Sequence, residues 1–246
     1  MLETIKSKLM DLKMREASES LESYITRFKT KEEFILALLD SEIKSRQTSA
    51  IKRRISKAKF PFDRDWSQID FKLNPKIRFK EIQPLSNGKF LERNENLCFL
   101  GSTGLGKTHS LISLGQDLCR KGFSVEFYTA CDLVTLLEEA KEKSTLSKLM
   151  IRLQKPKLLI IDELGFVPFS DSSARLIFDV FSKRYERGSI AVSTNLSFEK
   201  WTEVFGSIEL TQALVDRFSH RSKIFFFEGD SVRLLAAKAK LTSSKK

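Results

Sequence analysis

The sequence predicts an α/β fold in which a five-stranded parallel sheet lies between helices and follows a small all-α region. Three observations carry this. Every glycine lies at or beyond Gly88 and every proline at or beyond Pro61, so the first sixty residues hold neither backbone breaker and should be helical. Past residue 83, short apolar runs alternate with amphipathic stretches of helical length, the βαβαβ pattern. Two of those runs, Leu158–Ile161 and Ile224–Phe227, are apolar throughout rather than alternating, as in strands covered on both faces.

In chain order, Leu2, Ile5, Leu9, Leu12, Ala17, Leu21 and Ile25 recur at or near helical spacing and predict one amphipathic helix. Thr30 and Glu33 then form a capping box that opens a second helix, expected to bury Phe34, Leu38 and Ile43. Between Lys44 and Lys59 come seven basic residues and no acid, with Ala50, Ile51 and Ile55 as an apolar stripe on the other side. Pro61 to about Lys80 is irregular and reads as a strap. The expected organisation is therefore a helical N-terminal domain over 1–62, a linker over 63–82 and an α/β domain over 83–246. Strands are predicted at Asn96–Leu100, Ser124–Thr129, Lys157–Asp162, Ile190–Thr194 and Lys223–Glu228.

Composition bounds the function. A chain of 246 residues can bury one sizeable core and carry a small appendage. No apolar run reaches the ~18–20 residues that span a bilayer, and the N-terminus lacks the apolar centre of a secretory signal, so a cytoplasmic protein is expected. Cys98, Cys119 and Cys131 are too scattered for a disulfide framework or a metal pair and are expected in the core. His109 and His220 have no partner at metal-ligand spacing. A net charge of +11 favours polyanionic partners, but charge alone does not separate nucleic acid from a membrane or from a merely solvated basic surface.

The sharpest signal is FLGSTGLGKTHSL, Phe99 to Leu111. Gly101, Gly106, Lys107 and Thr108 match G-x-x-x-x-G-K-[ST], and Ser102, Thr103, Gly104 and Leu105 complete a loop whose backbone N–H groups can close around phosphates at a helix N-terminus. Lys107 would reach the β- and γ-phosphates of ATP, and Thr108 would ligate Mg²⁺. A plain glycine turn would not need a strand before it and an amphipathic helix after it. Further on, KLLIIDELG delivers Asp162 and Glu163 at the carboxyl end of a strand. Asp162 suits the Mg²⁺ shell, and Glu163 suits a base that activates water. Such a carboxylate pair could also be a solvated turn; beside a phosphate loop it favours hydrolysis over a kinase chemistry that must exclude water. Asn195, ending AVSTN, could touch the γ-phosphate or cap a turn.

These motifs together resemble the AAA+ ATPases, and among them the IstB-like helper ATPases of insertion sequences, relatives of the DnaC-type helicase loaders. The likeness spans nearly the whole chain: EEFILALLDSEIKSR and RRISKAKFP in the N-terminal region, then ENLCFLGSTGLGKTHS, VEFYTACDLV, LLIIDELGFVPF, YERGSIAVSTNLSFEKW and LVDRFSHRS in order. The resemblance implies an AAA+ P-loop NTPase fold. It puts Asn195 in the sensor-one place, Arg217 in the arginine-finger place and Arg233, in GDSVR, in the sensor-two place. Arg217 could instead pair with Asp216 or Glu209 on its own helix surface. Fewer than twenty residues follow the last strand, so a C-terminal lid reduced to a single helix is expected.

The resemblance further implies ATP and Mg²⁺ as cofactors, homo-oligomers with composite ATP sites, and partnership with double-stranded DNA and a transposase. Lys44, Arg46, Lys52, Arg53, Arg54, Lys57 and Lys59 are the candidate DNA contacts; no base-reading element is evident, so binding should be largely sequence-independent. A helicase loader with the same core is the nearest alternative, and a small-molecule kinase or a nucleotide-gated scaffold that barely hydrolyses are more distant ones.

Overall fold

The computed structural model describes residues 1–68, 79–229 and 231. Arg233 lies outside them. Two compact units are present, Met1–Arg53 and a second beginning at Arg54.

The first unit holds α1 (Leu2–Asp11), α2 (Arg15–Arg27) and most of α3 (Lys31–Ala58). The single helix expected up to Ile25 is broken. Lys13 takes a left-handed φ of 57°, and its N–H and that of Met14 turn back to the carbonyls of Met10 and Leu9. The break resets the helical phase, so Ala17 and Leu21 are buried while Leu12 and Ile25 are exposed. The polar groups freed there are met by α3. The Glu42 carboxylate accepts the Ala17 N–H at 3.3 Å, and Arg46 bonds Glu42 at 2.7 Å and the Lys13 carbonyl at 3.1 Å. Burial alone would raise the Glu42 carboxyl, but these donors outweigh it and hold it below its ordinary value. Thr30 caps α3 by accepting the Glu33 N–H at 3.2 Å. Phe34 and Leu38 are half-buried, whereas Ile43, expected inside, is exposed.

The second unit starts with the last turn of α3, where Ile55 and Ala58 join the core and Arg54 donates to the Cys119 carbonyl at 2.8 Å. Two short helices, α4 (Phe79–Ile82) and α5 (Lys89–Glu92), lead into β1 (Asn96–Gly101) and α6 (Lys107–Arg120). Then come β2 (Val125–Thr129), α7 (Ala130–Glu142), α8 (Leu146–Leu153), β3 (Leu158–Leu164), α9 (Asp171–Arg184) and β4 (Ser189–Thr194). A short α10 (Thr202–Phe205), α11 (Ile208–Ser219) and β5 (Ser222–Phe227) complete it. The five strands pair in parallel in the order β2-β3-β4-β1-β5. One core joins α6 and the segment around Ile82, Leu85, Phe90 and Leu91 to one side of the sheet. The other joins the sheet to α7–α11 through Leu133, Leu137, Ile177, Trp201 and Phe218.

Phe60 and, within the strap, Trp66 lie against the first core, and the Trp66 indole N–H donates to Asp117 of α6 at 2.7 Å. The inner strands are covered on both faces, as their unbroken apolar runs predict. β5 differs: it is an edge strand on which Ile224 and Phe226 stay exposed while Phe225 and Phe227 are buried. Cys98 and Cys119 are in the core, but Cys131 is exposed near the start of α7. No helix among the described residues is long and apolar enough to cross a membrane.

Arg184, at the end of α9, is 1% exposed and spends its guanidinium on the carbonyls of Leu153, Pro156 and Ser189 at 2.6, 3.0 and 2.8 Å. Burial pulls its pKa down to about 10, so it remains a cation at neutral pH. It ties the α8–β3 connection to the start of β4. Arg184→Met should strand those carbonyls, cost about 3 kcal/mol and lower the Tm by about 6–12 °C in thermal unfolding; an unchanged Tm would remove this clamp from the account of stability.

Candidate nucleotide site

The phosphate loop follows the carboxyl end of β1. Gly101 has φ 154°, and a Cβ there would sit 2.1 Å from the Phe227 carbonyl oxygen, so the close approach of β5 demands glycine. Gly104, at φ 80°, leaves room for the Ser231 hydroxyl in the same way. Leu105 is buried and pins the loop to the core, while Ser102 and Thr103 are exposed. Gly106 then caps α6 with a left-handed φ of 87°. Lys107 is folded inward, its ammonium donating to the carbonyls of Gly101 at 2.6 Å and Ser102 at 2.8 Å. A cation, the backbone of a glycine-rich turn and the positive end of a fourteen-residue helix thus converge, which is the chemistry an oligophosphate needs.

The carboxylates come from the strand two places away, across β4. β3 and β4 run in register through Ile161↔Val192 and resume at Leu164↔Thr194, so a bulge falls at Asp162 and Glu163. Asp162 is 2% exposed and its Oδ1 accepts from the Thr108 hydroxyl at 3.1 Å and from the Ser193 hydroxyl. Burial raises its pKa above the ordinary carboxylate value, opposed by those hydroxyls and by Lys107. Glu163 sits at φ 61° with an exposed side chain, its N–H donating to Ser193 Oγ at 2.9 Å. Asn195 is exposed just past β4, beyond Thr194, which pairs with Leu100. The sequence-predicted loop, Thr108, Asp162, Glu163 and Asn195 therefore share the carboxyl end of the sheet. Thr108 and Asp162 are already in contact, as two residues that would share a hard divalent cation must be.

The sequence profile of the family described as IstB-like ATP binding protein matches residues 7–240. This chain belongs to the IstB-like ATP-binding family. A Geobacillus stearothermophilus protein of insertion sequence IS5376, named as ATP-binding, is 38% identical over 82% of this chain and 80% of its own length. The corresponding protein of insertion sequence IS21 from Pseudomonas aeruginosa is 34% identical over 92% of this chain and 87% of its own. Among solved structures, the DnaC helicase loader aligns over 71% of this chain and 99% of its own, with a TM-score of 0.56 and 20% identity. AMPPCP-bound DnaA from Aquifex aeolicus aligns over 67% and 50%, with a TM-score of 0.52 and 23% identity. Those two likenesses show a fold shared with the DnaC helicase loader and DnaA.

In this IstB-like chain Arg217 does not join the other site residues. It lies on α11 beside Asn96 and Ile190, near the starts of β1 and β4, with its guanidinium 5.1 Å from the Phe178 ring centre and donating to the Ala213 carbonyl at 3.0 Å. The phosphate loop is at the other end of a six-residue strand, about 16 Å away at ~3.3 Å per residue. The candidate DNA contacts divide into two kinds. Lys44, Lys52, Arg53, Lys57 and Lys59 are exposed. Arg46 and Arg54 are tied to Glu42 and to the Cys119 carbonyl, so each also holds its own unit together.

Sequence reasoning missed Ser193, whose bonds to the Asp162 and Glu163 positions arise only when two strands are paired; a serine in AVSTN carries no signal of that by itself. It also missed that His109, directly after Thr108, meets the strap at the Asp65 carbonyl, 3.0 Å away.

Asp162 offers a test of stability against function. A carboxyl whose folded pKa is raised takes up protons more readily in the folded state, so stability falls as pH rises from the unfolded pKa through the folded one. Asp162→Asn should therefore raise the Tm of the nucleotide-free protein at neutral pH, and should lose most of any further stabilisation that added Mg²⁺ and ATP bring to the wild type. A Tm that falls in the variant would contradict the strained-carboxylate reading.

Proposed function

We propose that this chain is an ATP-hydrolysing, DNA-binding protein that assembles on duplex DNA and assists a partner transposase in choosing and using target sites. The observation that supports it most is the meeting of Lys107, Thr108, Asp162 and Glu163 at one end of the sheet. Lys107 and the loop amides would hold the β- and γ-phosphates, and Thr108 and Asp162 would hold Mg²⁺, which withdraws charge from the phosphoryl oxygens. Glu163 would take a proton from a water. The oxygen of that water bonds to the γ-phosphorus as the bond to the β,γ-bridging oxygen breaks, leaving ADP and inorganic phosphate. Asn195 would steady the water or the γ-phosphate.

Arg217 lies too far from its own phosphate loop to serve it. Its proposed role is in the site of a neighbouring copy, where a guanidinium would offset the charge spreading on the transferred phosphoryl and so link turnover to assembly. The names of the relatives, proteins of insertion sequences, support the partnership with a transposase and, through it, DNA and the cytoplasm. The basic face of α3 supports contact with phosphate backbones without base reading. The likeness to the DnaC helicase loader keeps helicase loading as a second reading; finding a transposase reading frame immediately upstream in the genome would decide against it. The exposed Glu163 beside Asp162 argues against a small-molecule kinase.

Glu163→Gln should bind ATP within about threefold of wild type yet lose turnover by at least ~10²-fold, read by phosphate release and equilibrium nucleotide binding. Turnover at the wild-type rate would overturn hydrolysis at this site, and negligible turnover in the wild type itself, with or without DNA, would favour the nucleotide-gated scaffold.

DNA affinity should fall steeply from ~50 to ~200 mM salt, as expected when several phosphates are neutralised. Lys52→Ala, Arg53→Ala and Lys57→Ala should each weaken binding alike on unrelated sequences, whereas Arg46→Ala and Arg54→Ala should also lower the Tm. Flat salt dependence in a fluorescence anisotropy titration would contradict backbone contact.

A further inference from the structure

We propose that Ser193 is a positioning residue for hydrolysis, its single hydroxyl setting both the metal-binding carboxylate of Asp162 and the backbone turn that aims Glu163. The inference rests on the hydrolytic reading given above and says how the base is held in place.

The argument begins with the ladder. Between the Ile161↔Val192 and Leu164↔Thr194 pairs, β3 supplies two residues, Asp162 and Glu163, where β4 supplies only Ser193. In a regular strand successive side chains alternate between faces. The extra residue lets Asp162 stay buried while Glu163 emerges into solvent at the end of the strand. That arrangement has a cost. Glu163 is held at φ 61°, a left-handed conformation that a non-glycine residue adopts at a penalty of about 1–2 kcal/mol. It persists only if the surroundings fix it.

Ser193 provides the fixing bond. The bulge withdraws the Glu163 N–H from the β4 backbone, and that N–H donates to Ser193 Oγ at 2.9 Å. The hydroxyl, 1% exposed in its residue's environment, then has its one proton to give, and gives it to Asp162 Oδ1. The same Oδ1 accepts from the Thr108 hydroxyl at 3.1 Å. One chain of hydrogen bonds therefore runs from the first turn of the phosphate-loop helix through Asp162 and Ser193 to the backbone that carries Glu163. Below the turn, the Phe166 N–H closes on the Glu163 carbonyl at 3.3 Å, and a Cβ on Gly165 would meet Leu196 at 2.8 Å, so the turn has little room for a second conformation. Removing the hydroxyl leaves a half-buried N–H without its acceptor and frees Glu163 to return to a regular strand conformation, which turns its side chain away.

The test compares turnover with nucleotide affinity in four variants. Ser193→Ala deletes the hydroxyl. Ser193→Thr and Ser193→Val form a pair of nearly equal shape, of which only Thr keeps the hydroxyl, so differences between them are not differences of packing. We expect kcat to fall roughly 10- to 100-fold in Ala and Val, a size typical of small misplacements in an active site, with affinity for a fluorescent ATP analogue and Mg²⁺ within about threefold of wild type. Thr should restore most of the rate. Equal rates in Thr and Val, or turnover at the wild-type level in Ala and Val, would overturn the inference. So would parallel loss of affinity and rate in Ala and Val, which marks a collapsed site rather than a misaimed base. Glu163→Gln, measured alongside, separates the two failures. If it is inactive while Ala and Val are normal, only the role of Ser193 fails; if it hydrolyses normally, the base and the residue said to position it fall together.

Discussion

A carboxylate buried under the end of a parallel sheet must be held by donors, and the rest of the site follows from how Asp162 finds them. One comes from Thr108 on the helix after β1 and one from Ser193 on β4, so three neighbouring elements meet at a single oxygen. Asp162 is 2% exposed, and that burial pushes its carboxyl above the ordinary value. A divalent cation that took the place of those hydroxyl protons at the carboxylate would offset the same buried charge. If Mg²⁺ binds here as proposed, the metal-free fold carries the cost of that buried charge, a trade frequently found where function needs one.

The surrounding fold serves to hold these elements in register. Strand order β2-β3-β4-β1-β5 interposes β4 between the phosphate loop and the carboxylates. Gly101 lets β5 approach the loop from the other side. At the far end of the sheet Arg184 locks the strand starts together. Arg217 is found at that same end, packed on Phe178. The distance between loop and arginine is what turns a single-chain ATP site into one proposed to be completed by a neighbour.

Much of this was legible in the sequence, and for physical reasons. The inner strands are covered on both faces, so their apolar runs announce them, and a phosphate loop must be written in glycines at fixed spacing because backbone has to approach phosphate. Failures came where tertiary contact overrode local pattern. The spacing from Leu2 to Ile25 was continuous, yet Glu42 and Arg46 of a later helix stabilise a break at Lys13. Ile224 and Phe226 belong to an apolar run but sit on an edge strand with an exposed face. Arg46 and Arg54 look like their basic neighbours until their carboxylate and carbonyl partners, distant in sequence, are seen. Ser193 and the bulge it supports depend on pairing between strands, which no single segment encodes.

The central claim is that Lys107, Thr108, Asp162 and Glu163 form one hydrolytic centre that a neighbouring copy completes. It is tested most directly by electron cryomicroscopy of the protein on duplex DNA with Mg²⁺ and a non-hydrolysable ATP analogue. The account predicts a metal ion between Thr108 and Asp162, the Glu163 carboxylate facing the γ-phosphate, and Arg217 of an adjacent copy reaching the same phosphate. A nucleotide bound away from the loop, or a γ-phosphate enclosed by one copy alone with Arg217 still stacked on Phe178, would contradict it.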